Sequence, residues 1–299
     1  KLSLCLSSQT PLVRFNISYQ DTLKEHETAG LAIDLKQLAE GESYQFTAGG
    51  VTRMVFPLLR RMIEEGTLVN PHWVSLNPIG PDKVTVEGIT LDHIRLDKER
   101  MKGYGQAKEA IWKAMHGIQE ENFPVDSLLW QDEFTDYTYY NRLCSELVTK
   151  LDQENNFDLF YIHDFQQLPM ARMLPALKPK VFRWHIPFDE SLVPEMWRQS
   201  LGSYFDAYDV VVVSCKRYLE SLKSFGYKGQ AHYIYPYIDQ GAYRRPSDSE
   251  ISGFDNKFGL KNDDRVLLVV ARLDPMKGQD RAIRAFAYLA QKFPNSKLV

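Results

Sequence analysis

Two hydrophobic periods alternate along this chain. Short apolar runs closed by polar clusters are separated by longer stretches in which apolar positions recur at helical spacing. Residues 158–189 show the pattern most fully. They read Asp158-Leu-Phe-Tyr-Ile-His163-Asp164, then a stretch of helical length to Leu177, then Lys180-Val-Phe-Arg-Trp-His185-Ile-Pro-Phe-Asp189. An apolar run, a polar pair, a helix-length segment and a second apolar run ending in histidine predict a β-α-β unit of a parallel sheet. His163, Asp164 and His185 then stand at the carboxyl ends of neighbouring strands. Open α/β sheets bind ligands at that edge, because strand ends and helix N-termini converge there with unpaired N–H groups. One such residue alone reads equally well as a helix cap, but three on one edge point to function.

The rest of the chain extends the alternation. Residues 2–6 and 13–18 suit strands and residues 22–38 have helical composition, with no ligand arguable from them. Gly49 and Gly50 open a helix carrying Met54, Val55, Leu58, Leu59 and Met62 and closed by Gly66. Paired glycines let backbone approach a diphosphate or sugar, although a plain tight turn reads the same way. Residues 72–76 and 84–94 are expected as strands. Gly103-Tyr104-Gly105 is expected to precede a helix with Ile111, Trp112 and Met115, where Trp112 by itself reads as core packing. Tyr137, Tyr139 and Tyr140 with Leu143, Leu147 and Leu151 make a long amphipathic helix. Beyond His185 follow a helix over 192–207, a buried strand over 208–213, a helix over Lys216–Phe225 stopped by Gly226, and a strand over 231–235.

A polar stretch at 246–255 marks a boundary, giving an N-terminal Rossmann-like domain over 1–245 and the start of a second domain over 246–299 that is left incomplete. The second domain opens with a buried strand over 265–271, then Arg272-Leu-Asp-Pro-Met-Lys277-Gly278 and a helix through Leu289. Arg272, Lys277 and a helix N-terminus at one point suit a diphosphate. Guanidinium grips phosphate oxygens in pairs, ammonium adds a point charge, and both stabilise negative charge as a glycosidic bond breaks. No metal is then needed. The alternative is a solvated helix start with Arg272 and Lys277 paired to Asp274 and Asp280.

Composition narrows the class. With 299 residues, 44% hydrophobic and 25% charged, the chain is globular, and its formal net charge of -3 offers no footprint for nucleic acid or an anionic membrane. Small-molecule partners are expected. Cys5, Cys144 and Cys215 form no CxxC pair, which argues against a disulfide framework or a zinc site and for a reducing compartment. No apolar run approaches the length of a membrane span and no basic-then-apolar leader opens the chain, so a cytoplasmic location is expected. A homo-oligomer is left open.

Taken in order, these segments resemble trehalose-6-phosphate synthases and, more broadly, retaining glycosyltransferases of the two-lobed GT-B type. The pieces are Ala48-Gly49-Gly50-Val51, Ile111-Trp112, His163-Asp164-Phe165 with Leu168-Pro169, and Trp184-His185-Ile186-Pro187-Phe188, then the Asp209 strand, Tyr235-Pro236-Tyr237-Ile238-Asp239 and Arg272-Leu273-Asp274-Pro275-Met276-Lys277-Gly278. The resemblance implies an α/β, GT-B-type architecture of Rossmann-like parallel-sheet domains with the second lobe truncated. It implies a glycosyltransferase of trehalose biosynthesis that moves glucose from a nucleotide-sugar, UDP-glucose, to glucose 6-phosphate or glucose with retention. By the same resemblance Arg272 and Lys277 hold the donor diphosphate, Gly49 and Gly50 form the loop over it, and His185 contacts the donor glucose near the reacting carbon. Asp164, Trp112 and Tyr104 line the acceptor pocket. No cofactor and no metal are implied beyond the donor substrate.

The opening strand departs from the family pattern. Its Ser-Asn-Arg end is replaced by Ser7-Ser8-Gln9, so the arginine that binds the acceptor phosphate is missing and plain glucose becomes an alternative acceptor. The acidic pair that would bind ribose and donor glucose lies beyond residue 299. Two other classes remain as alternatives: a non-catalytic module binding a sugar or nucleotide-sugar, and a dinucleotide-dependent oxidoreductase. The missing GxGxxG speaks against the second of these.

Overall fold

The structure is a computed structural model that describes residues 1–16, 32–118, 125–271, 273 and 277–299, without the side chains of 125–127 and 242. The chain divides into two compact units, Lys1–Asp239 and Gln240–Val299.

In the first unit the strands are β1 (Leu4–Ser8), β2 (Val13–Phe15), β3 (Ile33–Asp34), β4 (Tyr44–Phe46), β5 (His72–Leu76), β6 (Lys83–Val86), β7 (Ile89–Ile94), β8 (Leu159–His163), β9 (Lys180–Arg183), β10 (Val210–Val213) and β11 (Gln230–Tyr233). Nine of them form one sheet in the order β11-β10-β9-β8-β1-β5-β7-β6-β3. Every neighbouring pair in it is parallel except β6 with β7, while β2 and β4 pair separately and antiparallel. The helices are α1 (Gly50–Glu64), α2 (Lys98–Met115), α3 (Asp132–Asn155), α4 (Glu195–Phe205) and α5 (Lys216–Phe225).

Both faces of the sheet are covered, and the alternation of side chains along each strand explains why the strands read as unbroken apolar runs. On β1, Leu4 and Leu6 join the cluster under α1 with Trp73 and Leu91, whereas Cys5 joins the larger cluster of α2, α3, α4 and α5 with Val74. Trp73, Trp184 and Trp197 are all enclosed.

Several expectations give way to tertiary constraints. The helix expected between β8 and β9 is a 3-10 segment, Phe165–Met173, because Pro169 sits inside it and Asp164 turns the chain sharply at its start. Gly103 and Gly105 lie within α2 rather than before it: Asp97 caps the helix earlier by accepting the Arg100 N–H at 2.8 Å. Gly103 is needed there because the Asp136 carboxylate of α3 occupies the place a Cβ would take. The strand expected over 84–94 folds back at Glu87 and Gly88, both at positive φ, as a two-residue hairpin between β6 and β7. Of the helix expected at 22–38, residues 17–31 lie outside the described residues. Its end is instead β3 and a short turn, Leu35–Gln37, capped by Asp34.

Within the second unit, residues 246–255 are not an irregular linker. Helix α6 (Asp248–Phe258) begins there with a reciprocal Ser247–Glu250 capping box. The strand expected as buried over 265–271 is regular only over β12 (Arg265–Leu267), which pairs in parallel with β13 (Ser296–Leu298). Val266 and Leu268 are exposed, since among the described residues of this unit a single strand and α7 (Gln279–Lys292) are available to cover the run.

Candidate functional site

After β1 the chain moves to β5 on one side, and after α3 it returns to β8 on the other, so β1 and β8 are neighbours across a topological switch point. In open α/β sheets ligands bind beyond the carboxyl ends of the strands at such a point. Ser8 and His163 are register partners at that edge, and His163 is in turn the partner of Arg183 on β9.

Asp164 follows directly, with φ 67° and ψ 165°, a region that is almost exclusively glycine's. What holds it there is a stitch between two strand ends. Its N–H donates to the Arg183 carbonyl at 2.8 Å, and its Oδ1 accepts the His185 N–H at 3.2 Å. The side chain is buried, which pushes its pKa up to about 6 against the opposing effect of N–H groups from Phe165, His185 and Ile186. A strained, desolvated carboxyl group at a switch point is a candidate to bind a ligand hydroxyl.

Beside it the two histidines meet. His163 Nδ1 lies 2.9 Å from His185 Nε2, with the rings stacked at 5.2 Å between centroids, so one nitrogen donates and the other accepts. A second proton would set two donors face to face. Burial, then each other and Arg183, hold His163 well below its ordinary pKa. Burial and Arg183 bring His185 down to about 3. The pair is therefore neutral at physiological pH, and His163 Nε2 is enclosed without a partner.

Arg183 is the buried cation at this edge that sequence reading passed over. It is 2% exposed, donates to the Ile234 carbonyl at 3.0 Å and lies 5.6 Å from the centroid of the Tyr237 ring. No carboxylate among the described residues pairs with it. The signal was present: an arginine directly after two apolar residues at the end of a strand, Lys180-Val-Phe-Arg183.

The remaining expected residues fall at different depths. Tyr104 is almost fully enclosed, its ring 4.6 Å from Tyr140 and 6.5 Å from Tyr137, with an unpartnered hydroxyl; burial and the charges of Cys144 and Asp164 raise its pKa well above the usual value. It is a core residue beside Asp164 rather than an open pocket wall. Trp112 is half-buried two turns further along α2, its ring 4.2 Å from His116. Gly49 is the N-cap of α1, with no side chain capping the helix, and a Cβ on it would stand 3.4 Å from Thr10 Cγ2, beyond the end of β1. So the structure brings Asp164, His163, His185 and Tyr104 together and sets an uncapped helix N-terminus by the loop after β1. Lys277 is an exposed residue of the second unit, directly before the α7 N-cap Gly278. Arg272 lies outside the described residues. Among those residues no group of three or more His, Cys, Asp or Glu is placed to hold a metal ion, and no helix is long and apolar enough to cross a membrane.

The chain is similar to several known proteins. Residues 107–220 match the family model described as trehalose synthase, N-terminal domain, and residues 251–299 match glycosyl transferases group 1. Trehalose synthases of Thermococcus litoralis and Pyrococcus furiosus are each 25% identical over 145 residues, 48% of this chain and 34% of theirs. A trehalose-6-phosphate synthase structure superposes with a TM-score of 0.69 at 17% identity, covering 99% of this chain and 64% of that one. A Burkholderia xenovorans UDP-forming trehalose-phosphate synthase in complex with glucose-6-phosphate gives 0.67 at 16% identity, with coverages of 100% and 65%. The chain thus spans about a third of the length of the curated relatives it matches and under two thirds of these structures. The α/β GT-B fold and the resemblance to trehalose-forming glycosyltransferases are both borne out.

Proposed function

We propose that the full-length protein is a retaining glucosyltransferase of trehalose biosynthesis, moving glucose from a nucleoside-diphosphate glucose, with UDP-glucose the expected donor, to glucose 6-phosphate or glucose. The observation that carries this reading is the stitched strand-end pair of Asp164 and His185 at the switch point. Asp164 accepts hydrogen bonds from acceptor hydroxyls, and the neutral His185 contacts the donor sugar. Arg272 and Lys277 balance the diphosphate as it departs. The acceptor hydroxyl attacks the anomeric carbon from the face the diphosphate leaves, and its proton passes to the departing phosphate oxygen. Orientation and electrostatics supply the catalysis, and no cofactor or metal takes part in this scheme. The enzyme is then cytoplasmic and its partners are small molecules.

Release of UDP from UDP-glucose by the full-length enzyme, with glucose 6-phosphate and glucose as competing acceptors, tests the proposal. Acceptor-dependent release is expected. Thermal stabilisation by the nucleotide-sugar with no release under any acceptor would replace the enzyme by a binding module.

A further inference from the structure

Arg183 and His163 stand side by side on one face of the sheet, as register partners at the ends of β9 and β8. The partners just before them, Phe182 and Ile162, both join the cluster on the other face, so alternation turns Tyr161, His163 and Arg183 the opposite way. On that face the Tyr161 and His163 rings meet at 4.2 Å between centroids. The Ile234 carbonyl, 3.0 Å from Arg183 Nη2, and the Tyr237 ring hold the guanidinium in place. A full positive charge is thereby buried next to His163, and its Nε still lacks an acceptor.

That placement decides which nitrogens of the histidine pair carry protons. A neutral imidazole has one N–H and one lone pair, and the 2.9 Å contact between His163 Nδ1 and His185 Nε2 accepts either direction. With its proton on Nε2, His163 would bury an N–H that nothing accepts, on the face that carries a guanidinium. With its proton on Nδ1, the enclosed nitrogen is a lone pair beside a positive charge, and the N–H is satisfied by His185. His163 is therefore the donor. Burial first, and the charge of Arg183 with it, keep both rings neutral, so His185 has its own proton on Nδ1. His185 is only partly buried, its main-chain N–H is taken by Asp164 Oδ1 at 3.2 Å, and among the described residues its Nδ1 meets no hydrogen-bonding group. The nitrogen left over is a donor at the ligand edge.

We propose that Arg183 and His163 are positioning residues that fix the tautomer of His185: His163 donates from Nδ1 to His185 Nε2, and His185 presents Nδ1–H to an oxygen of the donor sugar. This rests on the glycosyltransfer reading and deepens it. No proton moves along the relay. It selects a donor over an acceptor at the one ring nitrogen open to a ligand, and the opposite tautomer would set a lone pair against the sugar oxygen.

Two measurements separate the relay from the activity. Histidine-selective 15N labelling of the full-length enzyme, with long-range 1H–15N correlation of the imidazoles at pH 7, reads the tautomers without turnover, and His163→Asn and His185→Asn assign the two rings. Both rings are expected as Nδ1–H forms. A wild-type His185 protonated at Nε2, or an imidazolium in either ring, overturns the proposal. Arg183→Met should shift part of His163 to the Nε2–H form, and Arg183→Lys, which keeps the charge, should retain the wild-type pattern; an unshifted methionine variant removes Arg183 from the relay. The second measurement is UDP release at saturating acceptor. His163→Leu is expected to lower kcat/KM for UDP-glucose roughly tenfold, as for one oriented hydrogen bond, with KM for the acceptor unchanged. His163→Asn, which keeps an N–H near the Nδ1 position, should recover most of it. An active enzyme indifferent to His163→Leu overturns the relay and leaves the transferase standing. The expected tautomers in an enzyme that releases no UDP with any acceptor sustain the relay, and the glycosyltransfer reading falls instead.

Discussion

At the scale of single residues, Asp164 shows strain and chemistry held by one side chain. Its backbone angles cost on the order of 1–3 kcal/mol for a residue with a Cβ, and its carboxyl is buried far enough to titrate near 6. Asp164→Gly relieves both and loses the hydrogen bonds that the carboxyl accepts from the Phe165, His185 and Ile186 N–H groups. The expected result is a urea midpoint no lower than that of wild type, by about 1 kcal/mol in the stabilising direction, together with a loss of transferase activity on the order of a hundredfold. A variant that unfolds earlier than wild type would make Asp164 a structural cap instead.

At the scale of elements, the N-terminus of α1 separates a folding role from a binding one. Gly49 has φ −70° and Gly50 has open space where a Cβ would go, so neither glycine is demanded by the backbone or by packing. Gly50→Ala should therefore raise stability by about 0.5–1 kcal/mol through helix propensity and a less flexible unfolded chain. If the glycines admit a diphosphate, the same substitution raises KM for the donor several-fold; an unchanged KM removes α1 from the donor site. Elements were legible in the sequence where one local signal decided them. Residues Lys216–Phe225 end at Gly226, whose φ of 110° only glycine adopts freely, and that helix stands as expected. They were illegible where a distant residue decided. Gly103 looks like a helix breaker until Asp136 of another helix is seen in its Cβ position, and 165–173 looks helical until the Asp164 turn is known. In the site the same division holds. His185 and Asp164 could be found from strand-end position, but Arg183 matters because Ile234 and Tyr237, some fifty residues on, fold over it.

At the scale of the whole molecule, a sheet covered on both faces carries its polar groups at the strand ends, and there they must be neutral or fully bonded. Three buried or half-buried histidines follow that rule. His93, His163 and His185 are all held below their ordinary pKa, chiefly by burial, His185 to about 3. A histidine that stays neutral when folded but protonates when unfolded makes stability rise with pH up to the unfolded value near 6.5. At pH 5 His185, held near 3, costs about 2 kcal/mol relative to pH 7, and His93 and His163 act in the same direction. Asp164 has the opposite sign. Its folded pKa of about 6 exceeds the ordinary value of 3.8, so the folded chain holds the extra proton between those values and stability falls as pH rises through them. That returns about 1 kcal/mol on acidification to pH 5, too little to cancel three histidines. Glu250, held near 2 by Arg244 and Ser247, titrates below this window and does not enter the balance. Urea unfolding followed through the buried Trp73, Trp184 and Trp197 should give a clearly lower midpoint at pH 5 than at pH 7. His93→Gln, outside the Asp164–His185 pair, should narrow that gap. Coincident wild-type midpoints at the two pH values would mean that the histidines are protonated in the folded protein, and the neutral His163–His185 contact on which the site depends would fall with them.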